Sequence, residues 1–134
     1  MRRLLALICL VSCALAVSAC ATTTSTSKFK GAEHEVAQTV ANLQSDVTAG
    51  DQKKICANDL TSAVVGRLGG RKKCEAALKT QVAQIDSTEA VVESVQVSGT
   101  TATAKVKATY SGKKKLGTLS LEKESSKWKI STLQ

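Results

Sequence analysis

The sequence predicts an α+β domain, with three helical segments in the N-terminal half covering one face of a curved four-stranded antiparallel meander. Two observations carry this. Apolar residues recur at three- and four-residue steps from Val36 to Ile85, then at two-residue steps from Val91 onward. Short polar turns at Ser98-Gly99-Thr100, Ser111-Gly112-Lys113 and Glu124-Ser125-Ser126 separate the alternating runs, as hairpins require.

The first helix is expected over Gly31 to Ala49, with Val36, Val40, Leu43 and Val47 as its apolar stripe and Gln38, Gln44 and Asp46 outside it. Gly50 suits a C-cap that needs positive φ, and Asp51 can accept backbone N–H bonds from the next turn. A short turn from Asp51 to Ala57 carries Ile55 and Cys56. Asn58 or Asp59 is then the expected cap of a piece from Leu60 to Leu68, ended by Gly69-Gly70. A third helix is expected over Arg71 to Ile85, with Cys74, Leu78, Val82 and Ile85 on one side.

The first strand, Glu89 to Ser98, is expected to turn Val91, Val95 and Val97 to one face. The second, Thr101 to Tyr110, alternates most clearly. Ala102, Ala104, Val106, Ala108 and Tyr110 face one way, and Thr103, Lys105, Lys107 and Thr109 the other. The third, Lys115 to Lys123, points Leu119 and Leu121 inward, and the fourth, Lys127 to Leu133, points Trp128 and Ile130 inward. One face packed and one face wet is the usual state of such a meander.

The N-terminal segment has a different logic. Arg2 and Arg3 precede an apolar run from Leu4 to Ala16, and small residues lead to Cys20. This reads as a secretory signal, too short for a comfortable membrane span. Val17-Ser18-Ala19-Cys20 resembles the lipobox of bacterial lipoproteins. The resemblance implies that residues 1–19 are removed and that Cys20 receives a diacylglyceryl group at the cell membrane, facing the extracytoplasmic side. Residues 20–30 are then the lipidated cysteine and a flexible Thr/Ser-rich tether, and residues 31–134 the single α+β domain. Of five cysteines, Cys9 and Cys13 leave with the signal. If Cys20 carries lipid, Cys56 and Cys74 form the one remaining pair. The alternative is ordinary signal cleavage, with a free thiol at Cys20.

The net charge is +8, of which Arg2 and Arg3 supply two that leave with the signal. Outside the cytoplasm this favours acidic lipid headgroups, wall polymers or small anions as partners. Nucleic acid is not expected, because Phe29, Tyr110 and Trp128 are the only aromatics available for base stacking. Arg67, Arg71, Lys72 and Lys73 flank Gly69-Gly70 at a helix start, a candidate anion contact. Lys113, Lys114 and Lys115 cluster at a hairpin turn, and Lys105, Lys107, Lys127 and Lys129 share the wet face, read as a solvated surface that discourages edge pairing. The single histidine, His34, has no partner at metal-ligand spacing, and neither a metal nor a cofactor is expected.

The order of helix, Gly50-Asp51 corner, further helix with Cys56, and a meander ending in Trp128-Lys129-Ile130 resembles the nuclear transport factor 2-like superfamily. The resemblance implies a cone-shaped, cystatin-like α+β fold with a hollow between sheet and helices. It does not imply a chemistry. Alanines on the second strand leave room in such a hollow. The candidate lining is Ala102, Ala104, Ala108, Tyr110 and Trp128 with Val40 and Leu43, suited to a modest apolar or amphipathic ligand. The alternative is a helix packed tightly on those alanines. No catalytic constellation is evident, so the expected role is a membrane-anchored, non-enzymatic binding or interaction module. The runner-up is an isomerase- or cyclase-like enzyme using Tyr110 with Asp46 or Asp59.

Overall fold

The computed structural model describes residues 25–83, 89–110 and 112–133. Cys20 and the predicted signal lie outside the described residues, as do Ile85 and the side chains of Tyr110 and Leu133. Helix α1 spans Gly31–Ala49 and stops at Gly50, whose φ of 67° is the left-handed value expected of the cap. Its buried residues are Val36, Ala37, Val40 and Gln44. Gln44 corrects the expected stripe. Val36, Val40 and Gln44 stand one turn above another, and the covered face follows that four-residue row.

Asp51 accepts the Lys54 N–H at 3.0 Å and starts α2, Gln52–Lys54. The chain then widens into a π-helical turn, Ile55–Asp59, closed by the Leu60 N–H on the Ile55 carbonyl. This turn carries Ile55, Cys56 and Asp59 inward together. Leu60 is extended and forms a parallel bridge with Ile130. The next cap is therefore displaced from the expected Asn58 or Asp59 to Thr61, whose hydroxyl accepts the Val64 N–H at 3.3 Å. Helix α3 is Ser62–Arg67 and α4 is Arg71–Val82. Cys56 and Cys74 form a disulfide with their Cα atoms 6.2 Å apart, fastening the π-turn to α4 inside the core.

The strands are β1 Glu89–Ser98, β2 Thr101–Tyr110, β3 Lys113–Glu124 and β4 Lys127–Leu133, paired in sequence order and antiparallel throughout. Ser125 and Ser126 both adopt positive φ in the last turn, as a two-residue hairpin requires. The inner face is made of cross-strand rows. Val97, Ala102, Leu121 and Ile130 form one, Val95, Ala104 and Leu119 the next, then Val92, Val106 and Gly117, and last Ala90, Ala108 and Lys115.

Two irregularities bend the sheet. In β1 the register shifts between Val92 and Ser94, so Glu93 is the extra residue. This corrects the expected phase: Ala90 and Val92 face inward before the shift, and Val91 is 44% exposed. In β4, Leu121 pairs with Ile130 and Ser120 with Thr132, so Ser131 is the extra residue. A cation meets each freed carbonyl. Lys28 Nζ donates to the Glu93 carbonyl at 2.9 Å, and Arg67 Nη2 to the Ser131 carbonyl at 3.2 Å. The packed body also begins earlier than residue 31. Phe29 is buried in the core, where its apolar ring outweighs the polar character of the preceding tether.

Candidate ligand-binding cavity

The core is closed at one end and open at the other. At the closed end Trp128 is buried, and its indole N–H donates to Glu35 Oε2 at 3.2 Å. Lys123 lies over the Trp128 ring, 5.3 Å from its centroid, and its Nζ is 3.5 Å from the same Glu35 oxygen. Ala102 and Ala104 are buried in the neighbouring rows. Here both alanines are covered.

The other end is different. A cavity of about 690 Å³ lies between the sheet and the second half of α1, with α3 and α4 as its remaining walls. Val40, Leu43, Gln44 and Val47 line it from α1, and Ile55 and Leu60 from the π-turn and the residue after it. Val64, Arg67 and Leu68 come from α3 and its C-cap, and Leu78, Gln81 and Val82 from α4. Ala90, Val106, Ala108, Leu119 and Ile130 form the floor, with Lys115, Leu116 and Gly117 of β3 and Ser131 and Thr132 of β4 at its margins. The volume falls within the range of sites that enclose small molecules, roughly 300–1,000 Å³. Small floor residues create it. Ala90, Ala108 and Gly117 occupy inner positions of the floor and put little or no side chain into it.

Of the expected lining, the structure brings Val40, Leu43 and Ala108 together around this space. Ala104 and Trp128 do not border it, because the closed end is filled. Ala102 instead borders a shallower depression of about 480 Å³ with Thr103 and Ser120. The basic cluster is also divided. Arg67 borders the cavity, while Arg71, Lys72 and Lys73 are exposed on the first turn of α4, away from its lining. Lys115 is exposed, as expected of the hairpin cluster, and it also borders the cavity, because its phase along β3 matches Gly117, Leu119 and Leu121.

The two acids named for the enzyme reading do meet, but away from the cavity lining. Asp59 is buried on the π-turn, and its Oδ2 has no hydrogen-bond donor. Burial pushes this carboxyl from its ordinary 3.8 up to about 7. The Asp46 charge and a hydrogen bond with Asp46 add to the rise, while Lys129 and Lys54 oppose it. A neutral Asp59 can donate to the Asp46 carboxylate, which resolves the unsatisfied oxygen. No local pattern in the sequence marks this contact, since the partners sit on separate helical segments. His34 is exposed and donates through Nδ1 to the Thr26 carbonyl at 3.2 Å.

The chain matches no family model and no curated protein. It is similar in structure to a five-substitution variant of the NTF2-fold design Rd1NTF2_05, with a TM-score of 0.52 and 16% identity over 75% of this chain and 96% of the other. It is also similar to the de novo designed NTF2-fold protein NT-9, with a TM-score of 0.51 and 17% identity over 78% of this chain and 87% of the other. Helices laid on a curved four-stranded antiparallel sheet around an open end thus give this chain the fold of nuclear transport factor 2-like proteins.

Proposed function

We propose that the protein is a membrane-anchored envelope lipoprotein whose domain holds a small apolar or amphipathic ligand, without catalysing a reaction on it. The observation that carries the binding reading is the apolar cavity of about 690 Å³ left by Ala90, Ala108 and Gly117. Its walls are mostly aliphatic, which favours an apolar guest and offers few groups for bond-making. The anchor reading rests on the Arg2-to-Cys20 pattern. The Cys56–Cys74 bridge supports it by accounting for two of the three cysteines beyond the expected cleavage point.

The enzyme reading has one observation in its favour, the carboxyl of Asp59 raised to about 7. That group lies off the cavity lining, so a guest in the cavity does not meet it directly. Among the described residues no helix is long and apolar enough to cross a membrane. Two measurements test the proposal. Intact mass of the protein extracted from membranes is expected to carry diacylglycerol on Cys20; recovery in the soluble fraction with a free thiol there overturns the anchor. Native mass spectrometry is expected to find a co-purifying small molecule that is lost in the cavity-filling variant Gly117→Phe. Unaltered adducts in that variant refute the cavity as the site.

A further inference from the structure

Lys115 breaks the pattern of the sheet. Inner-phase positions of β3 run Leu121, Leu119, Gly117 and then Lys115, so where the cavity meets solvent the apolar row gives way to an exposed ammonium group. The neighbouring outward position is inverted in the opposite sense: Leu116 is 70% exposed. A one-residue slip in register would restore the usual polarity at both positions, yet β3 stays paired with β2 from Lys113 to Glu122 without a shift. The inversion is confined to the margin of the cavity.

The other end of the same strand shows how this fold settles a lysine in that phase. Lys123 is also at an inner position of β3, and Glu35 of α1 supplies a carboxylate 3.5 Å from its Nζ. Lys115 has no such partner among the described residues. Among the described residues no aspartate or glutamate lines the cavity, whereas Arg67 and Lys115 both do. Arg67 spends one N–H of its guanidinium on the Ser131 carbonyl, leaving further donors on the same group. An apolar hollow with cations at its margin selects by charge as well as by greasiness.

Building on the ligand-binding reading above, we infer that the guest is a single-chain amphiphile with an anionic head. Its hydrocarbon tail occupies the hollow over Ala108 and Gly117, and its head takes the place at Lys115 that Glu35 holds at Lys123. Arg67 adds positive potential from the α3 side. A carboxylate and a phosphate monoester share the required chemistry.

The test uses the full chain in an uncharged detergent and native mass spectrometry with four probes of equal tail length: dodecanoate, dodecyl phosphate, dodecanol and dodecyltrimethylammonium. The expected result is binding of one or both anions at least tenfold above dodecanol, with the cation weakest. The two anionic arms tell a carboxylate from a phosphate head. Lys115→Gln is expected to cut anion binding about tenfold, the weight of one charge-assisted hydrogen bond, and to leave dodecanol unchanged. Lys115→Arg is expected to keep the preference, and an intact Cys56–Cys74 bridge with an unaltered circular dichroism spectrum certifies each variant. Equal binding of dodecanoate and dodecanol overturns the anionic head while leaving a ligand-binding cavity. Anion preference undiminished in Lys115→Gln overturns the assignment of the head to this lysine. Absence of all four probes, in native chain and Gly117→Phe alike, sinks the cavity reading itself.

Discussion

Replacing Asp59 by asparagine removes the one strongly perturbed acid among the described residues. In the folded protein its carboxyl is held up at about 7, against 3.8 ordinarily, first by burial and then by the Asp46 carboxylate. Below pH 3.8 both folded and unfolded chains carry the proton, and the group costs nothing. Between 3.8 and about 7 the unfolded chain releases the proton and the folded one keeps it, so stability falls as pH rises; above 7 the loss is complete. At roughly 1.4 kcal/mol per pH unit, that interval amounts to about 4 kcal/mol. The figure is large beside the roughly 5–15 kcal/mol of a typical domain. An asparagine amide donates to Asp46 at every pH and never ionises. Asp59→Asn is therefore expected to match the native chain near pH 4 and to exceed it by up to about 4 kcal/mol near pH 8. Urea unfolding followed by the fluorescence of Trp128, the only tryptophan and a buried one, reads both curves. A stability gap that stays the same at pH 4 and pH 8 refutes the reasoning.

Two further outcomes are expected. Replacing Cys56 and Cys74 together by serine opens a loop with a sequence separation of 18, and urea unfolding should show a loss of about 3 kcal/mol. A midpoint unchanged from the native chain would contradict the role of the bridge as the brace of the π-turn. Glu124 behaves oppositely to Asp59. Hydrogen bonds from Ser62, its hydroxyl at 2.8 Å and its N–H at 2.9 Å, hold the carboxyl below its ordinary 4.5, with Lys129 assisting. Its contribution is present above pH 4.5 and disappears as pH falls through the lower folded value. The advantage of the native chain over Glu124→Gln should thus shrink between pH 6 and pH 3 in the same assay; an advantage that widens on acidification contradicts the assignment.

What the sequence displays and what it conceals follow from the range of the interactions. The first helix, its Gly50 stop and the alternation of Ala102 to Ala108 are local, so periodicity alone locates them. The bulge at Glu93 is invisible because an added residue changes the phase of β1 without changing its composition. The cap at Thr61 depends on Leu60 pairing with Ile130, seventy residues away in sequence. The cavity itself was legible only as an excess of alanine on one strand. Which alanines are covered depends on how far the helices extend over each row of the sheet. The place of Lys115 was hidden for a simpler reason: three consecutive lysines at a turn look like a solvated cluster, and the pairing of Lys115 with Ala108 is what sets it at the margin of the cavity.

The clasp between Lys28 and the Glu93 carbonyl fixes where the body takes hold of the chain that leads into it. Phe29 is sunk into the core, and α1 leads from Glu35, beside Trp128, toward Val47, beside the hollow. Glu35 and Val47 lie twelve residues apart on α1, about 18 Å along its axis. The body is thus gripped from Lys28 onward, and whatever chain lies upstream is tied to it at the edge of β1 and not at the mouth of the hollow.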